Sequence, residues 1–257
     1  MELNYKQTGI GEPLIILHGL FGMLDNWQTI AKRLGEHFEV YTLDLRNHGK
    51  SPHSDEHSYA IMARDVYDFM EDQNLFKAHI LGHSMGGKVA MQFASYFPGF
   101  VNKLIIADMF PKSYTDVRLD HERIFEAIDI VNACQFKDRK EGEQKLRSVL
   151  QNDRIYHFVL KNLKITKNTC PEWKFNATVL QREYKAILDN IKISLPIKSP
   201  TLFLKAELSN YILEDEFQDI NKIFPNAELI TISGATHWLH ADKPDDFCKH
   251  VYNYLSE

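Results

Sequence analysis

Ser84 stands in Gly82-His83-Ser84-Met85-Gly86, with the apolar run "AHIL" before it and the helix-periodic run "MGGKVAMQFASYF" after it. A serine hydroxyl is a weak nucleophile until geometry and a neighbouring base activate it. A G-x-S-x-G pentapeptide between a strand and a helix supplies the geometry. The chain must turn sharply there, and Gly82 and Gly86 relieve the crowding because they lack Cβ. The serine is lifted above the strand ends. The N–H of Met85 and the first turn of the helix then face one point in space, where they can hold an oxyanion. The pattern predicts a nucleophile for acyl transfer.

A serine needs a base, and 12 histidines make composition uninformative. Placement selects His237, in "ISGATHWLHADKP" between the last predicted strand and the last predicted helix. His240, three residues on, is the alternative, closer to the helix entry. The histidine needs an orienting acid. Asp108 follows the apolar run "LIIA", and Glu207 follows "TLFLKA". Asp108 is the stronger candidate, because a carboxylate wedged among apolar residues costs several kcal/mol unless it is paired. In "LHGLFGMLDNW" a strand ends at His18-Gly19, and the turn after it can aim the N–H of Leu20 or Phe21 at the same oxyanion as Met85. His18 reads as a turn-stabilising residue. Asp44 and Arg46 of "DLRNHGKSP" read as ties on the loops beside the serine.

These residues need a scaffold that brings strand ends together. "PLIILHG", "EVYTLDL", "AHILGH", "KLIIAD", "TLFLKAE" and "ELITISG" are short, β-branched runs with polar ends and read as strands. Amphipathic segments lie between them: "DNWQTIAKRLGEHF" places Trp27, Ile30, Ala31 and Leu34 on one face, and "YAIMARDVYDFMEDQ" follows the same rule. Alternating strands and helices imply right-handed crossovers and a mostly parallel sheet covered on both faces. From Lys112 to Leu195 the periodicity is helical throughout, and the strand–helix rhythm resumes at Pro200. The expected organisation is an α/β core from residues 1–111 and 196–257, interrupted by a helical cap over 112–195. The cap carries 16 Lys/Arg against 12 Asp/Glu, whereas the core carries 14 against 23. That asymmetry fits either docking of two layers or attraction of a substrate with an anionic part. Tyr114, Tyr156, Phe158 and Trp173 are candidate pocket residues whose spacing fits helix packing equally well.

The chain has 257 residues, 44% of them hydrophobic and 25% charged, the balance of a globular protein. The start "MELNYKQTGIGEP" has neither the basic nor the apolar region of a signal peptide, and no apolar run has the length of a membrane span. Cys134, Cys170 and Cys248 are scattered without metal-ligand spacing, which fits a reduced cytoplasm better than a disulfide framework. A net charge of −5 without a basic block argues against nucleic-acid binding. The chemistry sketched here calls for no metal and no organic cofactor. The expected partner is a small molecule, on a monomer or small homo-oligomer.

With these pieces in order, the chain resembles the α/β-hydrolase superfamily, most closely the YbfF-type bacterial esterases. "HGLFGMLDNW", "RNHGKSP", "GHSMGGK", "HERIFEAI" and "GATHWLHADKP" carry the resemblance from end to end. It implies a hydrolase core with a helical cap, and esterase or thioesterase activity on acyl esters, including large ones such as acyl-CoA. It implies Ser84 as nucleophile, His237 as base and Asp108 as acid. It further implies an assisting role for Ser209 and substrate anchoring by Tyr211 and a cap arginine, for which Arg118 and Arg123 both stand in range. The same fold and residue set also serve C–C bond hydrolases, menaquinone-pathway lyases and proline aminopeptidases, since fold and triad do not fix the substrate.

Overall fold

The computed structural model describes residues 1–115, 121–133, 139–164 and 171–257. Six strands read in the sequence form one sheet: β2 (Glu12–Leu17), β3 (Phe38–Leu43), β4 (Ala78–His83), β5 (Val101–Ala107), β8 (Thr201–Ala206) and β9 (Ala227–Ile232). A seventh, β1 (Tyr5–Thr8), adds antiparallel to β3 at the edge. The order is β1-β3-β2-β4-β5-β8-β9, and every pair except β1–β3 is parallel. The apolar runs of β4 and β8 are buried along their whole length, as expected for strands covered on both faces. β1 carries no such run. Its residues are largely exposed, and so its pairing left no period-2 signal.

One face of the sheet is covered by α1 (Gln28–Leu34) and the C-terminal α11 (Pro244–Ser256), whose Ile30, Leu34, Phe247 and Val251 side chains, with Trp27 just before α1, pack on Leu14, Leu81 and Leu202. The other is covered by α2 (Tyr59–Asp72) and α3 (Met85–Tyr96), through residues such as Met62, Val66, Phe69, Val89 and Phe93. α9 (Phe217–Ile223) follows β8, and the short α10 (Leu239–Asp242) leads into α11. Asp65 on the buried side of α2 receives two hydrogen bonds from Arg46, from Nε at 2.6 Å and Nη2 at 2.8 Å. This buried fork accounts for a charge on an apolar face.

Between β5 and β8 lie α4 (His121–Asn132), α5 (Arg139–Val149), α6 (Asp153–Lys161), α7 (Ala177–Arg182) and α8 (Tyr184–Leu188). The segment is not helical throughout. β6 (Leu163–Lys164) and β7 (Glu172–Trp173) form a small antiparallel pair, too short for periodicity to register. Among the described residues no helix is long and apolar enough to cross a membrane.

β4 lies between β2 and β5, so the turn after it opens at the centre of the sheet's carboxyl edge. In parallel sheets that edge is where ligands bind. Ser84 adopts φ 53° and ψ −122°, a sparsely populated conformation that costs on the order of 1–3 kcal/mol. A Cβ on Gly82 would collide with the Gly86 carbonyl, as the sequence pattern implied. Gly86 answers to a different neighbour: its Cβ would strike the carbonyls of Leu17 and His18 at the end of β2. Gly82→Ala is expected to destabilise the fold by about 1–3 kcal/mol or more, since backbone and not a flexible side chain must yield. Gly99→Ala, with open space at its Cβ position, is expected to stay within about 0.5 kcal/mol. Urea unfolding of the two variants tests the contrast.

Candidate active site

Four strand ends line one cavity of about 670 Å³, and a fifth lies behind it. Ser84 comes from β4, His18 to Phe21 from β2, Ser209 and Tyr211 from the β8 loop, and His237 from the β9 loop; Asp108, directly after β5, supports them from beneath. Asp108 has no solvent exposure, and its backbone is also left-handed, at φ 49°. Its carboxylate is fully engaged. Oδ1 accepts from the Ala206 N–H at 3.0 Å, while Oδ2 accepts from His237 Nδ1 at 2.8 Å and from Ser209 Oγ. With Nδ1 donating, His237 keeps Nε2 free to take a proton. Tyr211 lies flat on the imidazole, ring centroids 3.6 Å apart and planes 9° from parallel. Ser84 and His237 line the same cavity, and no hydrogen bond joins Ser84 Oγ to the imidazole. Such contacts tighten on substrate binding.

The two alternatives weighed in the sequence have other positions. Glu207 is exposed and accepts from Gly234 N–H at 2.6 Å and Ser233 Oγ at 3.1 Å. These bonds hold the turn after β9 and lower its pKa. His240 is buried, stacked on Trp27 at 4.1 Å, and burial lowers its pKa to about 3. It is a neutral packing element.

His83, the residue before the candidate nucleophile, was not singled out by its type. It is buried, and its Nε2–H donates to the His237 carbonyl at 2.8 Å. The strand that leads to Ser84 is thereby tied to the loop that carries His237. Burial lowers the His83 pKa well below the usual value, so the ring is neutral and donates through one nitrogen.

The candidate oxyanion donors separate. The Phe21 N–H donates to His48 Nε2 at 3.2 Å, and is therefore committed elsewhere. His48 is oriented by its Nδ1, which donates to the Arg46 carbonyl at 2.9 Å. Desolvation holds it neutral. No hydrogen bond among the described residues engages the N–H groups of Leu20 or Met85, and both remain candidate donors. His18 supports the turn, as its type indicated: Nδ1 donates to Gly19 O at 2.8 Å and Nε2 accepts from Leu45 N–H at 3.0 Å. Asp44 ties three segments together by accepting from Leu24 N, Lys50 N and Asn4 Nδ2.

Of the two candidate arginines, only Arg123 falls within the described residues; Arg118 lies outside them. Arg123 is exposed on α4 and does not line the cavity. The cation at the cavity wall is Arg154 of α6, which forms an ion pair with Asp242 and donates to Thr236 Oγ1 at 3.3 Å. Phe158 lines this cavity, and Tyr114 lines a small chamber beside it, while Tyr156 and Trp173 line neither.

With the site in view, comparison with known proteins becomes specific. The family described as alpha/beta hydrolase fold matches residues 12–129. Esterase YbfF of Escherichia coli is 34% identical over all of both chains. The sn-1-specific diacylglycerol lipase ABHD11 of Danio rerio is 35% identical over 98% of this chain and 80% of its own length. The chain belongs to the YbfF-type esterases of the α/β-hydrolase family. A solved marine microorganism esterase superposes with a TM-score of 0.94 at 43% identity, covering 98% of this chain and 99% of its own. The protein is accordingly a carboxylic ester hydrolase, with the mostly parallel sheet of that fold.

Lys88, on the helix that follows Ser84, is 1% exposed. Its ammonium donates to the carbonyls of Leu188 at 3.1 Å and Asp189 at 2.6 Å, and sits 5.0 Å from the Tyr114 ring centre. Desolvation lowers its pKa from 10.5 to about 7. The unfolded chain therefore holds this proton more tightly than the folded one, and stability must rise with pH between about 7 and 10.5. Relative to Lys88→Met, the wild-type protein is expected to gain roughly 1 kcal/mol per pH unit across that window. Urea unfolding at several pH values would show diverging stabilities, whereas parallel ones would contradict the burial of a titrating amine.

Proposed function

We propose that the protein hydrolyses small-molecule acyl esters and thioesters through an acyl-enzyme on Ser84, with His237 as general base and Asp108 as its orienting acid. His237 takes the Ser84 proton as Oγ bonds to the substrate carbonyl carbon. The carbonyl π electrons move to oxygen, and that oxyanion rests on the N–H groups of Leu20 and Met85. Collapse of the tetrahedral centre breaks the bond to the leaving oxygen or sulfur, which departs with the electron pair and receives the proton from His237. Water, deprotonated by His237, then releases the acid and restores Ser84. No step calls for a metal or an organic cofactor.

The observation that carries this reading is the Asp108–His237 hydrogen bond at 2.8 Å beneath a cavity that Ser84 also lines. Buried Asp108 fixes the imidazole tautomer and favours the imidazolium formed in the transition state. Ser209, which donates to the same carboxylate oxygen, helps hold that carboxylate in place. Tyr211 braces the imidazole by stacking and also borders the cavity. Residues 112–195 act as a cap in this reading, because α4 and α6 contribute His121, Ile124, Arg154 and Phe158 to the cavity wall. The scattered cysteines fit action in the cytoplasm.

Hydrolysis of p-nitrophenyl acetate, with the rate in the absence of protein as background, tests the proposal. Ser84→Ala is expected to abolish activity to within the background rate. Asp108→Asn is expected to lower kcat by about 10⁴-fold, since the imidazole then settles in the wrong tautomer. Substantial ester hydrolysis by a folded Ser84→Ala protein would contradict the assignment.

A further inference from the structure

Two cavities meet at Ser84. Beside the large one lies a chamber of only about 20 Å³. Ser84, Leu20, His121 and Tyr211 border both. Met85, whose N–H is a candidate oxyanion donor, borders the small one. His237 borders the large cavity and not the chamber.

Resting on the acyl-enzyme reading above, we propose that the chamber receives the acyl group and the large cavity the leaving group, which makes the protein selective for short acyl groups carried on bulky alcohols or thiols. The tetrahedral carbon has four substituents, and the structure constrains three. One is Ser84 Oγ. The second is the oxyanion, directed at the Leu20 and Met85 amides. The third is the leaving atom, which must lie within reach of His237 to receive its proton. It therefore points into the cavity that His237 lines. The acyl chain takes the remaining direction, away from His237, into the chamber that Leu20 and Met85 border.

The chamber is small and its walls are tied down. A space of about 20 Å³ holds one water-sized group, the size of an acetyl methyl. One wall is the end of α8, and three groups, Tyr59 and Lys88 of the core and Tyr114 of the segment after β5, grip its carbonyls. Tyr59 Oη donates to Ile187 O at 2.6 Å, Tyr114 N–H to Leu188 O at 2.8 Å, and Lys88 to Leu188 O and Asp189 O. A longer acyl chain would have to break these bonds or displace Met109 and Ile187, both buried. Overpacking of that kind disfavours the longer chain. The leaving-group side has no such limit. Its cavity is more than thirtyfold larger, with Phe158 and Trp238 as apolar walls and Arg154 as a cation, so that a nucleotide-bearing thiol and a bulky alcohol both fit by size.

The test is kcat/KM along p-nitrophenyl acetate, butyrate, octanoate and palmitate, for the wild type and for Ile187→Ala, each corrected by Ser84→Ala. The wild-type value is expected to fall by about tenfold or more from acetate to octanoate. Ile187→Ala keeps the backbone carbonyl that Tyr59 grips, and is expected to raise the octanoate-to-acetate ratio by about tenfold. Octanoate or palmitate cleaved by the wild type as fast as acetate would overturn the assignment while leaving the acyl-enzyme reading intact, as would an unchanged ratio in an Ile187→Ala protein that retains acetate activity. Absence of Ser84-dependent turnover on every ester would overturn both readings. Because the wild-type series stands alone, the test survives a variant that fails to fold.

Discussion

The carboxylate of Asp108 is a charge without solvent, and the ends of three strands are arranged around it. An unpaired carboxylate at such a position would be destabilising by several kcal/mol. Here β5 supplies the acid, the β8 loop supplies the Ala206 N–H and the Ser209 hydroxyl, and the β9 loop supplies His237. Removing any one donor leaves a buried acceptor short of a partner. The arrangement that keeps the sheet edge closed also fixes the imidazole, so stability and chemistry are coupled at this residue. Tyr211 stacks on the imidazole from the same loop that carries Ser209, and His83 reaches across from β4 to the His237 carbonyl. The His237 residue is thus held from its ring, its face and its backbone.

The second constraint is backbone shape. Ser84 and Asp108 both take left-handed φ values directly after adjacent strands, β4 and β5. Those turns place two side chains at one sheet edge, and the surrounding packing must offset their strain. Gly82 and Gly86 make the Ser84 turn possible by letting β4, α3 and the end of β2 approach backbone to backbone. Close approach of β2 then brings Leu20 to the same small chamber that Met85 borders. Phe21, next in the chain, also has positive φ, and its amide is turned toward His48 instead.

Much of this was legible in the sequence because it rests on local patterns. Six strands and the helices between them follow from apolar runs and helical periodicity. Ser84 follows from its pentapeptide, and the preference for Asp108 over Glu207 follows from the cost of a charge in an apolar run. What was hidden depends on contacts far apart in the chain. β1 is exposed and joins the sheet only by pairing with β3. The choice between Leu20 and Phe21 is decided by His48, more than 20 residues away. Arg154 reaches the cavity wall through the docking of α6 on the β9 loop, which no spacing within the cap encodes, whereas Arg123, close to a plausible motif, faces solvent. Lys88 looks like a surface residue of an amphipathic helix. Its burial became visible only once the end of α8 was seen lying over it.

The central claim is a covalent acyl group on Ser84, formed with His237 held by Asp108. The direct measurement is the mass of the intact protein quenched during turnover of p-nitrophenyl acetate, followed by peptide mapping. The account predicts a protein heavier by one acetyl group, carried on the peptide that contains Ser84 and absent from Ser84→Ala. An acetyl group that maps to another residue while the enzyme turns over, or one that persists unchanged in Ser84→Ala, would contradict it.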